Sequence, residues 1–340
     1  MSKKIIVTGG AGYIGSHTTV ALQESGFEVV VIDNFSNSNI AMLDGVARIT
    51  GVMPTLINID CTDIVAMRNA FSAHSDALGV IHFAALKAVG ESVAKPRMYY
   101  RNNLCSLMNV LDMMAEFKIA NIVFSSSATV YGEPDVLPVT EDTPLRPATS
   151  PYGQTKVVGE NIIKDVVCVT PGMRAMLLRY FNPIGAHPSA NIGELPLGVP
   201  NNLLPYITQT AAGIRECLSV FGNDYDTPDG YCVRDYIDVN DLARAHVAAM
   251  VRMIKGLSSG VEVYNLGTGR GVSVMQMIEA FQRANGLTLN YKIAPRRAGD
   301  VSAIWADVSR ANDVLGWCAD VSLEETLRSA WAWQKKVSEQ

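Results

Sequence analysis

One stretch near the N-terminus restricts the folds open to this chain more than any other. Residues 4–8, Lys-Ile-Ile-Val-Thr, are an apolar, β-branched run, the pattern of a strand buried on both faces of a parallel sheet. Gly9-Gly10-Ala11-Gly12-Tyr13-Ile14-Gly15 follows at once, and a helix is expected from about Tyr13 to Ser25. The glycines satisfy both Gly10-x-Gly12-x-x-Gly15 and Gly9-x-x-Gly12-x-x-Gly15. That spacing serves a tight turn, then backbone close to a diphosphate, then a helix packed close to the strand. The helix N-terminus adds free N–H groups and partial positive charge. A second strand, Glu28-Val29-Val30-Val31-Ile32, ends at Asp33, 18 residues beyond Gly15, where a ribose-binding carboxylate is expected. Asp33 would accept from both ribose hydroxyls and repel a 2′-phosphate, so the expected cofactor is NAD rather than NADP.

The alternation continues. Strands are expected at 55–59, ending at Asp60, at 79–83, ending at Phe83, and at 121–125, with helices near 62–74 and 91–117. Strand–helix alternation of this length implies an α/β fold, a doubly wound parallel (Rossmann) sheet, with ligands collecting at the strand C-terminal ends. Asp60 would meet the adenine edge, and the small Ala84-Ala85 pair lets backbone approach a cofactor. After a strand at 177–182 the regularity stops, and 186–205 is rich in Pro, Gly and Asn, which suits an irregular lobe. The expected division is an NAD-binding domain over 1–182, rejoined by segments at about 233–270, and a smaller substrate-binding lobe over 183–340. Ser273 and Gln276 are spaced as a capping box.

Composition narrows the classes. Of 340 residues, 48% are hydrophobic and 18% charged, with a formal net charge of −5. No long basic run marks a nucleic-acid surface. The apolar run after Met1-Ser2-Lys3-Lys4 is too short for a leader or a membrane span, so a cytoplasmic protein is expected. Six cysteines and five histidines show neither disulfide nor metal-ligand spacing. No metal is expected, and most of the cysteines should be buried free thiols.

Candidate chemistry lies in Ser125-Ser126-Ser127 and, 25 residues beyond Ser127, in Tyr152-Gly153-Gln154-Thr155-Lys156. Tyr152 and Lys156 share one helical face. A phenol titrates near ~10, and a fixed cation nearby lowers that value. Reaching neutrality takes roughly 4 kcal/mol, which a lysine and a cationic nicotinamide together would supply.

A serine and Tyr-x-x-x-Lys behind a glycine fingerprint resemble the extended short-chain dehydrogenase/reductase superfamily. Longer stretches are similar to its UDP-glucose 4-epimerase family: 9–17, 82–92, 124–132, Ser150-Pro-Tyr-Gly-Gln-Thr-Lys156, Leu178-Arg-Tyr-Phe-Asn-Pro-Ile-Gly-Ala-His-Pro188, Pro200-Asn-Asn-Leu203, Phe221-Gly-Asn-Asp-Tyr225 and Val233-Arg-Asp-Tyr-Ile237. The match runs to about Trp333. The resemblance implies transient oxidation of a UDP-hexose at carbon 4 by retained NAD, rotation of the ketosugar and re-reduction. Tyr152 would be the base, Ser127 a proton relay, and Lys156 would lower the tyrosine pKa and bind the nicotinamide ribose. It implies cofactor contacts at Gly9, Gly12, Tyr13, Ile14, Gly15, Asp33, Asn34, Asp60, Cys61, Phe83, Lys87, Asn102 and Tyr180, beside Ser127, Tyr152 and Lys156. It implies UDP-sugar contacts at Asn182, Asn202, Phe221, Arg234, Arg297 and Asp300, with Ile304 governing whether an N-acetyl sugar can turn. A homodimer pairing the helices near 93–117 and 151–169 is also implied; helix-on-sheet packing should account for at least half of their apolar residues. Rival readings are a 4,6-dehydratase or decarboxylase, against which Ala128 and Thr129 stand where those enzymes carry acids, and an NAD-sensing regulator without chemistry.

Overall fold

Burial of both faces along each long strand organises the molecule. The computed structural model describes residues 3–297 and 300–339; Met1, Ser2, Ala298, Gly299 and Gln340 lie outside the described residues. The strands are β1 (Lys4–Thr8), β2 (Glu28–Ile32), β3 (Thr55–Ile57), β4 (Gly79–His82), β5 (Asn121–Ser127) and β6 (Arg174–Tyr180), then the shorter β7 (Asn182–Ile184), β8 (Leu218–Phe221), β9 (Val233–Arg234) and β10 (Tyr236–Asp238). After these come β11 (Val261–Leu266), β12 (Val272–Ser273), β13 (Tyr291–Ala294) and β14 (Ala303–Ile304). The α-helices are α1 (Tyr13–Glu24), α2 (Ala41–Thr50), α3 (Ile64–Ala73), α4 (Val89–Ala94), α5 (Pro96–Phe117), α6 (Pro151–Val169), α7 (Leu203–Ala211), α8 (Val239–Ile254), α9 (Val274–Asn285) and α10 (Leu323–Ser338).

Seven strands form one parallel sheet in the order β3-β2-β1-β4-β5-β6-β11. Ile5, Val7, Val29, Val31, Met176 and Leu178 face α1 and α8, packing on Leu22, Leu242, Ala245 and Met250. Ile6, Val30, Ile32, Ile122, Phe124 and Leu177 face the other way, onto Phe71 of α3, Leu107 and Val110 of α5, and Ile163 of α6. Two-sided burial explains why these strands read as unbroken apolar runs. A smaller cluster lies beyond the sheet, where Leu204 and Ile207 of α7 meet Val220, Phe281 and Leu327. The fold is a Rossmann-type α/β sheet with a smaller C-terminal lobe.

Several expectations need correction. The expected 91–117 helix is two helices, broken at Lys95, with Pro96 in the first turn of α5, where its missing N–H does no harm. Helix α2 was not anticipated; its Gly45 answers to a distant segment, since a Cβ there would sit 2.3 Å from the carbonyl oxygen of Asn191. Only Cys61 and Cys232 of the six free cysteines are buried, while Cys168 and Cys318 are exposed. Cys168 lies on an α6 position turned away from the sheet, and Cys318 in a connection. The Ser273–Gln276 capping box forms as expected.

Candidate active site

The turn after β1 is shaped by what it excludes. Gly9 holds φ at 72°, and a Cβ on it would lie 2.8 Å from the backbone nitrogen of Ala84. A Cβ on Gly15 would lie 2.2 Å from the carbonyl oxygen of Gly9. Side chains at either place would fill the cradle in front of α1. The N-cap of α1, Gly12, offers no side-chain cap, so the first N–H groups of the helix remain directed at the cradle. Asp33, buried at the end of β2, accepts from the N–H of Ala11 at 3.0 Å, of Phe35 at 2.9 Å, and from Ser38 Oγ at 2.7 Å. One of its oxygens keeps spare acceptor capacity. An uncapped helix start, a Cβ-free cradle and a fixed carboxylate fit a dinucleotide. Around them lie Phe83, whose N–H donates to the Thr8 carbonyl at 3.0 Å, and Asn34, which donates to Asp60 at 2.9 Å. Buried Cys61 accepts through its carbonyl from Asn109 at 2.9 Å. Lys87 lies 5.9 Å above the Tyr13 ring and 3.4 Å from Glu194, and Asn102 donates to Asn103 at 3.0 Å.

At the C-terminal end of β5, Ser127 meets the first turns of α6. Ser150 caps that helix by accepting from the N–H of Gly153 at 3.2 Å, with Pro151 behind it. Tyr152 therefore sits in the first turn, beside the Ser127 hydroxyl, and Lys156 one turn on. Lys156 is buried, donates to the Ser125 carbonyl at 2.6 Å, and stands 5.8 Å from the Tyr152 ring centre and 5.0 Å from that of Phe124. Tyr180, opposite Ser127 in the β5–β6 register, hydrogen-bonds Ser125 through its hydroxyl. Lys156 by itself does not lower the tyrosine pKa. Burial pushes the Tyr152 phenol up to about 12, with the nearby Ser127 hydroxyl opposing. Lys156 is itself drawn down to about 8 by burial, with Glu160 opposing. Its ammonium is spent on a carbonyl rather than on the phenol oxygen, so desolvation wins.

In the C-terminal part of the chain, Arg297 donates to Asp300 at 2.7 Å and its guanidinium lies 6.0 Å from the exposed Phe221 ring. Arg234 lies 4.0 Å from the same carboxylate. Two cations on one acid make a cluster that anionic groups can enter. Asn182 is exposed, and Asn202 donates to Glu194 at 2.8 Å. Ile304 is buried among Ala128, Tyr131, Val139 and Phe181, behind the loop that follows Ser127.

A family model described as GDP-mannose 4,6 dehydratase matches residues 6–330. The UDP-glucose 4-epimerase of Bacillus subtilis (strain 168) is 52% identical over 330 residues, covering 97% of this chain and 96% of that protein. The chain belongs to the UDP-glucose 4-epimerase family. A crystal structure of the Stenotrophomonas maltophila UDP-glucose 4-epimerase, with bound NAD and formylated UDP-arabinopyranose, superimposes with a TM-score of 0.96 at 44% identity over 99% of each chain. The Bifidobacterium longum UDP-glucose 4-epimerase, in complex with NAD+ and UDP, gives 0.93 at 47% identity over 98% of each.

Within this epimerase-family chain, sequence reasoning missed the groups behind the trio. Glu160, one turn beyond Lys156, is wholly buried and bonded to Arg179 and Ser126. Asn103 ties the Leu86 backbone, at 2.8 and 3.0 Å, to Thr155 at 3.0 Å. Two signals were available: the i, i+4 continuation Tyr152–Lys156–Glu160, and one arginine in the apolar run Leu177-Leu178-Arg179-Tyr180, since a buried charge requires a partner.

Proposed function

We propose that this chain interconverts UDP-glucose and UDP-galactose through transient oxidation at carbon 4 of the hexose, rotation of the 4-keto sugar and re-reduction. The observation that carries this is the convergence of Ser127, at the C-terminal end of β5, with Tyr152 and Lys156 in the first turns of α6, in a chain that aligns nearly end to end with UDP-glucose 4-epimerases. When bound, NAD supplies reversible acceptance of the carbon-4 hydride. Gly9, Gly12, Tyr13, Ile14 and Gly15 would hold its diphosphate, and Asp33 and Asn34 a ribose. Asp60 and Cys61 would flank the adenine, with Phe83, Lys87, Asn102 and Tyr180 towards the other end.

The chain's own groups do the remainder. Tyr152 takes the proton of the 4-hydroxyl, and Ser127, close beside it, relays that proton. Lys156 supplies the nearby positive charge. Arg234, Arg297 and Asp300, with Asn182, Asn202 and Phe221, anchor the uridine diphosphate. Binding energy then resides on the nucleotide, and the sugar stays free to turn. Residues 1–182 with 233–270 form the dinucleotide side of this arrangement, and 183–340 the UDP-sugar side. Six free thiols suit a cytoplasmic setting, and no described helix is long and apolar enough to cross a membrane. A homodimer through α5 and α6 completes the reading.

The decisive assay supplies UDP-galactose to the holoenzyme. UDP-glucose is the expected product. A keto-deoxy sugar would mean a dehydratase, which Ala128 and Thr129 do not equip with the needed acids, and no product would mean a regulator. Running UDP-N-acetylgalactosamine in parallel reads the role of Ile304; the expected preference is for glucose and galactose.

A further inference from the structure

A buried charge pair lies directly behind the catalytic trio. Glu160 on α6 accepts from Arg179 of β6 through both carboxylate oxygens, at 2.8 and 2.6 Å, and from Ser126 Oγ of β5 at 2.6 Å. The side chain of Glu160 is fully buried and that of Arg179 only 3% exposed. Arg179 and Ser126 face each other in the β5–β6 register, so one carboxylate closes over a cross-strand pair. The next residue along each strand is a site residue, Ser127 on β5 and Tyr180 on β6. Arg179 also donates to the Tyr131 hydroxyl at 3.1 Å, and Tyr131 donates to Asn265 of β11 at 2.6 Å. Three adjacent strands and the helix are thereby fixed to one another. A bidentate guanidinium–carboxylate pair is directional as well as strong. Its cost of burial is worth bearing where orientation is the benefit.

We propose that Glu160 is a positioning residue of the interconversion: its carboxylate seats the helix carrying Tyr152 and Lys156 against the strands carrying Ser127 and Tyr180, and supplies the negative charge that Lys156 faces along its own helix. This deepens the epimerase reading and rests on it. Lys156 is faced by Tyr152 and Glu160 from α6, by the Ser125 carbonyl and Phe124 ring from β5, and by His82 of β4, which burial holds neutral. Glu160 alone among these carries a negative charge at neutral pH. Burial pushes its carboxyl up, but Arg179, Ser126 and Lys164 together hold it below the usual carboxylate range.

The test compares wild-type holoenzyme with E160Q, E160D and the double variant E160Q/R179M, which removes both charges of the Glu160–Arg179 pair together. In E160Q and the double variant, kcat at neutral pH should fall about ten- to a hundredfold, as for a misseated catalytic group, with little change in KM for UDP-galactose. The alkaline limb of kcat should move to lower pH, because Lys156 loses the charge that sustains its protonated form. The NMR titration of isotope-labelled Lys156 should move with it. E160D should lower kcat but keep the wild-type limb. If E160Q alone fails to fold, the double variant decides the matter. A double variant with wild-type kcat and wild-type limb, or variants that lose only thermal stability, would overturn the proposal. An inactive wild type would instead overturn the proposed function and this inference with it.

Discussion

At the scale of single residues, the site sets desolvation against charge. Tyr152 stands at about 12, held up by burial and opposed by Ser127, while Lys156 stands at about 8. A phenol in that state is protonated at neutral pH, so the proton leaves only as the loaded site gains positive charge. Tyr152→Phe removes the base but leaves every uridine diphosphate contact. It should bind UDP-galactose with near wild-type affinity by calorimetry, while kcat falls by about 10²- to 10⁴-fold, the usual span for a lost general base. Turnover within a few-fold of wild type would mean that another group does this work. Tyr152 and Lys156 were legible because their four-residue spacing is local. Glu160 and Arg179 were not, because what they do depends on two elements meeting in space.

At the scale of elements, the glycine turn and α1 form one device: a strand end, a cradle and an uncapped helix start. Gly15→Ala places a methyl 2.2 Å from a carbonyl oxygen, a contact that only backbone movement relieves. The variant should lose bound dinucleotide, seen as a lower absorbance ratio of the purified protein at the cofactor and protein bands. Retention of full dinucleotide content would show that the cradle tolerates a side chain. Strands β1 and β2 and the start of α1 were readable to the residue, since buried parallel strands are continuous apolar runs and glycine fingerprints have fixed spacing. The split between α4 and α5 falls at Pro96, which cannot continue a preceding helix, and α2 hid behind a glycine that only tertiary packing explains. The C-terminal lobe, made of short strands with long-range partners, gave little periodic signal.

At the scale of the molecule, one surface and two sets of buried ionisable groups lead to predictions. On α5, Tyr100, Leu104 and Met108 recur every fourth position, and Met108 remains 44% exposed. Leu107, Val110, Leu111 and Met114 on the same helix, with Ile163 on α6, are buried against the sheet. The outward stripe is the surface that the proposed homodimer would cover. Met108→Lys should shift the chain from dimer to monomer by light scattering while retaining interconversion; an unchanged mass would remove that interface.

Acid stability follows from three histidines kept neutral by burial, His17 and His82 near about 3 and His246 near about 4. Their folded pKa values lie below the unfolded value of about 6.5. The unfolded chain therefore binds more protons across that window, and stability falls as pH drops from about 6.5 towards 4. Raised carboxyls at Asp235, Asp238 and Asp241 act in the opposite sense. His246→Phe, in a pocket already formed by Phe83 and Tyr180, should flatten the decline of Tm with acidification. An unaltered slope would assign the decline elsewhere.

The central claim is that the carbon-4 hydrogen leaves the sugar and returns to it without passing through water. The most direct measurement follows UDP-galactose carrying deuterium at carbon 4 through complete equilibration in ordinary water, with product analysed by mass spectrometry. The account predicts UDP-glucose that keeps its deuterium at carbon 4. Product whose deuterium has been replaced by solvent hydrogen would contradict it.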